Sequence, residues 1–255
     1  MTILQAIILS IVEGITEFLP ISSTGHLILT SKVLGIAQTE FVKSFEVIIQ
    51  LGAILAVILL YFNTVVKNVK IWGRTLLAFI PTGIIGIFVY DFVKASLLGN
   101  YNVVIFSLFF GGVAILLLEE FVTSKGNKIE SIEQLTPARS VLVGVIQSIS
   151  MVPGVSRALA TIFGGLSVGL SRKSATEFSF LLAVPTMLAA SGFDLIKTGY
   201  MFSPQEYIVL AVGFVGAFIS ALISIKFLIN FVQKHSFRAF AIYRIVLAIV
   251  FWILY

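Results

Sequence analysis

Long apolar runs alternate with short polar stretches along this chain. A helix needs about 20 apolar residues to cross the hydrocarbon core of a bilayer. The pattern predicts six full membrane-spanning helices, at residues 43–63, 70–92, 100–122, 174–196, 205–233 and 237–255. Strands of a transmembrane barrel would instead alternate between apolar and polar residues in short segments. The predicted fold class is therefore an all-α polytopic membrane protein.

Two further apolar segments are interrupted by proline. Residues 1–35 contain Pro20, and residues 138–170 contain Pro153 followed by Gly154. Proline lacks a backbone donor and disfavours helix at the residue before it, so each segment should break there. Non-helical backbone at membrane depth is tolerated where protein buries it or where it lines a wet cavity. Each segment is therefore predicted to form a re-entrant helical hairpin.

The two halves of the chain repeat the same order of elements. Identical residues recur 133 positions apart in four pairs: Pro20 and Pro153, Ser23 and Ser156, Phe45 and Phe178, Gly83 and Gly216. A shared offset indicates a duplicated unit, and three full spans per unit would invert the second copy in the membrane. We therefore predict a single integral-membrane domain over 1–255, built as repeat one at about 1–122, a linker at about 123–137 and repeat two at about 138–255.

Composition agrees with a membrane location. Hydrophobic residues make up 58% of the 255 residues, charged residues make up 11%, and the mean hydropathy is +1.08. These values exclude an ordinary soluble domain. The apolar N-terminus has no Lys or Arg before it, so we expect it to belong to the fold rather than to a cleaved signal. The chain has no cysteine, which excludes disulfides and thiolate metal sites.

The basic residues give an orientation. The net charge of +5 is spread over short loops, which indicates membrane topology rather than nucleic-acid binding. One set of loops holds eleven basic residues: Lys67, Lys70, Arg74, Lys125, Lys128, Arg139, Arg172, Lys173, Lys226, Lys234 and Arg238. The opposite set holds four: Lys32, Lys43, Lys94 and Lys197. With the richer set in the cytoplasm, both termini and the mouth of the first hairpin should face the exterior.

Ionisable and hydroxyl side chains cluster at the first break. Glu13 and Glu17 are four residues apart and share a helix face. Ionisable groups inside a membrane indicate a functional site, although a structural carboxylate pair is the alternative. Ser22, Ser23 and Thr24 can cap the helix that follows. The start of that helix would offer free N–H groups and a positive dipole end to an anion.

The second break has the same helix-stopping and helix-capping residues as the first, and it adds a guanidinium. Pro153 and Gly154 should stop a helix, and Ser156 can cap the next one. Arg157 follows directly, and its planar fork matches two oxygens of a phosphate. Arg244, in the last apolar run, is expected to need an acidic partner.

With these two motifs the sequence resembles the undecaprenyl-diphosphate phosphatase family, the integral-membrane enzymes associated with bacitracin resistance. The matching blocks are EGITEFLP at 13–20, SSTGH at 22–26, FEVIIQLG at 45–52, PGVSR at 153–157, EFSFLLAVP at 177–185 and AIYR at 241–244. They extend over essentially the whole chain. One departure covers Ala158, where the family usually has serine, and Leu159, where it usually has a small residue.

The resemblance implies hydrolysis of undecaprenyl (C55 polyprenyl) diphosphate to the monophosphate and inorganic phosphate. The reaction is expected at the outer face of the cell membrane, with Mg²⁺ or Ca²⁺ as cofactor, and would recycle carrier lipid for peptidoglycan synthesis and confer bacitracin resistance. The expected partners are the lipid substrate and the bilayer, with no nucleic acid and with a homodimer left open. The alternative is a lipid-phosphate transporter or flippase, because broken helices that meet at mid-membrane are typical of transporters.

Roles follow for the individual residues under this resemblance. Glu13 and Glu17 suit ligation of the cation or general-base work. Ser23 is the preferred nucleophile with His26 as its base or acid, and attack by His26 itself is the rival. Arg157 would clamp the diphosphate. The candidate substrate contacts are Ser22, Thr24, Ser156, Thr161 and Gln50, and for Gln50 a helix-packing hydrogen bond is equally favoured.

Overall fold

The computed structural model describes residues 1–97, 100–123, 129–198 and 202–254, and these ranges are almost entirely helical. The helices are α1 Ile3–Thr16, α2 Ser23–Val33, α3 Glu40–Leu60, α4 Phe62–Lys67, α5 Val69–Phe92, α6 Tyr101–Thr123, α7 Pro137–Gln147, α8 Arg157–Ser167, α9 Arg172–Thr198, α10 Pro204–Lys234 and α11 Arg238–Leu254. The predicted all-α class is confirmed.

Among the described residues, five helices are long and apolar enough to cross a membrane, namely α3, α5, α6, α9 and α10. Each of them coincides with a span expected from the hydropathy pattern. The sixth expected span, 237–255, coincides with α11, whose 17 residues fall short of the roughly 20 that a crossing requires. A multi-span helical membrane protein is therefore established, and the count of six spans stays a prediction.

Both interrupted segments break where the sequence indicates. In the first, α1 ends at Thr16 and α2 begins at Ser23, so Pro20 lies in the turn between them. In the second, a short 3₁₀ turn follows α7, and α8 begins at Arg157. Helices α2 and α8 have 11 residues each, which is too few to cross the bilayer. Each segment is thus a pair of short helices joined at the predicted break, and the re-entrant course of each pair in the membrane stays a prediction.

Each hairpin packs on a spanning helix from the other half of the chain, α1 on α10 and α7 on α5. Glycine permits both contacts. A Cβ on Gly14 would lie 2.0 Å from the Ser220 hydroxyl, and a Cβ on Gly144 would lie 1.9 Å from the Ala78 carbonyl. Small residues let helix backbones approach closely in membranes. The reciprocal packing is what two inverted repeats should produce, and the repeat relation itself stays a prediction.

The outer surface carries large apolar side chains. Phe88 on α5 is 82% exposed and Ile253 on α11 is 75% exposed. A soluble monomer rarely exposes wide apolar patches, whereas lipid tails solvate them at no cost. These faces are therefore in contact with hydrocarbon.

The charge asymmetry leads to a prediction about topology. We expect alkaline phosphatase fused to the C-terminus to be active, since that end should lie outside, and the same reporter inserted into the linker at 123–137 to be inactive. A cytoplasmic fluorescent reporter at the two positions should give the opposite pattern. A reversed result at one position alone would contradict the inverted repeat, and a reversed result at both positions would contradict the orientation.

Candidate active site

Helices α2 and α8 begin in the same unusual way. Ser22 has a φ of 73° and Ser156 a φ of 81°, and within the described ranges they are the only non-glycine residues with positive φ. Their hydroxyls accept hydrogen bonds from the N–H groups of Gly25 and Leu159, at 3.3 and 3.2 Å. Such backbone strain costs about 1–3 kcal/mol and persists only where the surroundings enforce it. It marks both helix starts as candidate functional positions.

Ser22 and Ser156 therefore occupy equivalent positions in the two breaks, and they are 134 residues apart. The predicted equivalence of Ser23 with Ser156 is wrong by one position. The reason is local: the first break places one residue between its proline and the N-cap serine, and the second places two. Ser23 consequently corresponds to Arg157, and each is the first residue of its helix.

These two residues converge on a single carboxylate. The Ser23 hydroxyl donates to Glu17 Oε2 at 2.5 Å, and Arg157 Nη2 donates to Glu17 Oε1 at 2.7 Å. Glu17 is 5% exposed, so this junction is nearly dry. The first N–H groups of a helix also lack intrahelical acceptors. The two hairpins thus bring a hydroxyl, a carboxylate, a guanidinium and two helix N-termini to one point.

Arg157 is also tied to α9. Its Nη1 donates to the Ser179 carbonyl at 2.9 Å and to the Ser179 hydroxyl at 3.3 Å. The guanidinium carbon lies 5.8 Å from the centre of the Phe18 ring. Its Nε is buried and has no acceptor within the described residues. The guanidinium is therefore fixed in place and keeps one N–H unsatisfied.

Glu13 lacks the hydrogen-bond donors that Glu17 has. It is fully buried, and in the described part of the chain neither of its oxygens meets a hydrogen-bond donor. Its charged neighbours include Glu17, Glu46 and Arg157. A buried carboxylate of this kind needs a proton or a cation to offset its desolvation.

A hard cation is compatible with this carboxylate, but the protein supplies few ligands. No group of three or more His, Cys, Asp or Glu within the described ranges is arranged to hold a metal. Mg²⁺ is often held by one or two carboxylates together with substrate phosphates, whereas Ca²⁺ takes six to eight oxygen ligands. Glu17 lines the cavity described below and Glu13 does not, so Glu17 fits Mg²⁺ shared with a bound phosphate better than the two carboxylates fit a site made of protein alone.

A cavity of about 630 Å³ opens onto the junction. Its polar end is lined by seven of the predicted site residues: Glu17, Ser22, Ser23, Thr24, Gln50, Ser156 and Arg157. Its remaining walls are mainly apolar. They come from α5 and α9, with Ile84, Ile87 and Phe193 among them, and from residues 150–151 and 153–154 of the second break. A cavity of this size matches sites for small ligands, and its two ends suit an amphipathic one.

His26 does not line this cavity. Its Nδ1 lies 2.7 Å from the Ser22 carbonyl, and its Nε2 lies 2.7 Å from the Tyr243 hydroxyl. The tautomer with the proton on Nδ1 donates to the carbonyl and accepts from the tyrosine. The expected pairing of Ser23 with His26 is therefore corrected: the imidazole turns toward α11, and the Ser23 hydroxyl donates to Glu17.

Thr161 is likewise turned away from the cavity. Its hydroxyl donates to the Arg157 carbonyl at 2.9 Å and lies 2.5 Å from the Ser179 hydroxyl. Because Thr161 is completely buried, it supports the backbone and the α9 contact of Arg157 rather than lining the site. Ala158, where the resemblance leads one to expect serine, is also completely buried.

Arg244 has a role that sequence reasoning missed. The acidic partner expected for it is absent among the described residues, and its guanidinium donates to five backbone carbonyls instead. Three of them, from Pro20, Gly154 and Val155, belong to the two breaks. The sequence contains one indication of such a role: Arg244 lies in an apolar segment, directly after Tyr243 of the AIYR motif.

The fold and the site together define a class: an integral-membrane helical protein in which two broken helices meet at a buried polar site. The chain belongs to the family described as Bacitracin resistance protein BacA, which matches residues 6–250. The family resemblance inferred from the motifs is thereby confirmed.

Relatives named undecaprenyl-diphosphatase match over nearly their full lengths. One from Aquifex aeolicus is 52% identical over 251 residues, which cover 98% of each chain. One from a Sulfurihydrogenibium species is 52% identical over 255 residues and covers 100% of both chains. One from Wolinella succinogenes is 49% identical over 251 residues, covering 98% of this chain and 97% of its own.

Proposed function

We propose that this protein is a membrane phosphatase that converts undecaprenyl diphosphate to the monophosphate and inorganic phosphate. The observation that carries the proposal is the junction of Ser23, Glu17 and Arg157 at the polar end of an otherwise apolar cavity. The names of the relatives agree with it. The activity would recycle carrier lipid for cell-wall synthesis and so support bacitracin resistance.

The shape of the cavity supports a lipid diphosphate as substrate. The diphosphate would lie at the starts of α2 and α8, where N–H groups and Arg157 face an anion. The first isoprene units would lie between α5 and α9. The cavity extends along α5 to Tyr90 and Val93. The charge asymmetry assigns this end of α5 to the exterior. The substrate would therefore enter from the outer leaflet of the cell membrane.

The contacts of Ser23 support its role as nucleophile. Its oxygen would attack the terminal phosphorus while its proton passes to Glu17 Oε2, and the anhydride P–O bond would break to release polyprenyl monophosphate. Water would then hydrolyse the phosphoserine, returning the hydroxyl and releasing inorganic phosphate. Arg157 and the helix N-termini would stabilise the charge on the transferring phosphoryl group.

A divalent cation completes the proposal, with Glu13 and Glu17 as its protein ligands and Mg²⁺ preferred. When bound it would neutralise charge on the diphosphate. The unpartnered oxygens of Glu13 motivate this assignment.

Phosphate release from undecaprenyl diphosphate by the purified protein tests the function. We expect turnover by the wild-type protein, a phosphoenzyme trapped by a quench in denaturing detergent at neutral pH, and loss of both in Ser23→Ala. Ser31→Ala is the matched control, since Ser31 lies further along α2 and hydrogen-bonds Glu46 at 3.3 Å.

The chemical stability of the adduct identifies the nucleophile. An acid-labile, base-stable adduct that persists in Ser23→Ala would place the phosphoryl group on His26 instead. Transport of labelled lipid across vesicles without any phosphate release would favour the flippase alternative, which the meeting of two broken helices also suits.

A further inference from the structure

Arg244 is completely buried, and all of its N–H donors are used. Nη1 donates to the carbonyls of Pro20 at 3.2 Å and Val155 at 3.1 Å. Nη2 donates to those of Gly154 and Ser107, both at 2.9 Å. Nε donates to the Leu108 carbonyl at 3.3 Å. One side chain on α11 therefore joins the first break, the second break and helix α6.

Burial of the Arg244 guanidinium costs desolvation free energy, which its contacts must offset. A buried guanidinium without a carboxylate must be solvated by dipoles, and each broken contact would strand a buried polar group. Five carbonyls from three separate segments supply that solvation here. The rigid fork of arginine can satisfy them together, whereas the three rotatable donors of lysine cannot.

The contacts also orient groups that face the cavity. In a trans peptide the C=O and the following N–H point in opposite directions. The Val155 carbonyl points to Arg244, so the N–H of Ser156 points away from it. Ser156 lines the cavity and holds a positive φ that its surroundings must enforce. In the first break the anchored carbonyl, that of Pro20, lies two residues before Ser22.

We propose that Arg244 is a positioning residue for the reaction: it holds the two breaks in register so that α2 and α8 present their N-termini to the same diphosphate. The inference rests on the proposed phosphatase function. Arg244 does not line the cavity, so it acts through the backbone rather than by touching substrate.

Gly111 on α6 offers a way to move the guanidinium without removing its charge. A Cβ at this position would lie 2.1 Å from Arg244 Nη2, so Gly111→Ala must displace it. Gly73→Ala is the matched control, since Gly73 is also helical and a Cβ there would meet nothing within 4 Å. Alanine is the better helix former at both positions, so the local effect on the two helices is the same.

The measurements are the Kd for inorganic pyrophosphate, by titration calorimetry on the full-length protein, and the KM and kcat for phosphate release. We expect Gly111→Ala to raise both Kd and KM about tenfold, the loss expected for one hydrogen bond to a charged group. Gly73→Ala should match the wild-type protein. If Gly111→Ala does not fold, Arg244→Lys should show the same increase, because lysine cannot hold all five carbonyls.

Binding constants and turnover separate the outcomes. A purely structural role would reduce the folded fraction and hence the apparent kcat, while leaving Kd and KM unchanged, and that result would overturn the inference. Absence of pyrophosphate binding by the wild-type protein would overturn it too. Normal pyrophosphate binding without any phosphate release by the wild-type protein would instead refute the proposed function, and the change in Kd would still decide the role of Arg244.

Discussion

Replacing Arg157 by lysine is expected to lower kcat/KM by roughly 30- to 1000-fold, which corresponds to about 2–4 kcal/mol of lost transition-state stabilisation. Lysine keeps the charge, but it loses the planar fork that can hold Glu17 or Ser179 and a phosphate oxygen together. Its ammonium is also harder to strip of water. Arg157→Ala should lose more.

A stability measurement distinguishes this clamp from a simple tie between the hairpins. If Arg157 only pairs with Glu17, its loss leaves a buried carboxylate without a partner and lowers the melting temperature. Arg172→Lys is the control, since Arg172 pairs with buried Glu119 and neither residue lines the cavity. An Arg157→Lys protein with wild-type kcat/KM would rule out the clamp, and an inactive one with a normal melting temperature would support it.

The second large effect is expected at Glu17, where glutamine should reduce turnover by about 10²–10⁴-fold, the usual contribution of a positioned general base. Glu17 accepts hydrogen bonds from Ser23 and Arg157 through different oxygens. An amide places an NH₂ group where one of these oxygens lies, so one of the two donors would face another donor, and the amide cannot take the serine proton. Phosphate release and phosphoenzyme formation by Glu17→Gln measure the loss.

Glu13→Gln is the matched comparison, because it makes the same change four residues earlier on the same helix segment. It leaves the contact between Ser23 and Glu17 intact but removes one of the two proposed cation ligands, so phosphoenzyme formation should fall less than in Glu17→Gln. If Mg²⁺ binds at Glu13, the rise in melting temperature that Mg²⁺ gives the wild-type protein should disappear in this variant.

Near-normal turnover by Glu17→Gln would contradict the general-base role and make Glu17 a packing residue.

Some features could be derived from the sequence because the bilayer imposes them. Apolar segments of about 20 residues must be helical when they cross hydrocarbon, so the positions of α3, α5, α6, α9 and α10 followed from hydropathy. Pro20 and Pro153 remove backbone donors, so the two breaks followed from covalent chemistry. The family followed from motifs that contain these breaks together with Glu17, Ser23 and Arg157.

The partners of the polar side chains were decided only by tertiary structure. The short spacing suggested that Ser23 pairs with His26, and the apolar surroundings of Arg244 suggested an acidic partner. In the structure Ser23 meets Glu17 and Arg244 meets five carbonyls. Thr161 similarly turns to Ser179. A one-dimensional pattern determines which groups must be buried, because burial depends on local hydrophobicity. Which donor meets which acceptor depends on how distant helices cross, and most of these contacts join segments more than 80 residues apart.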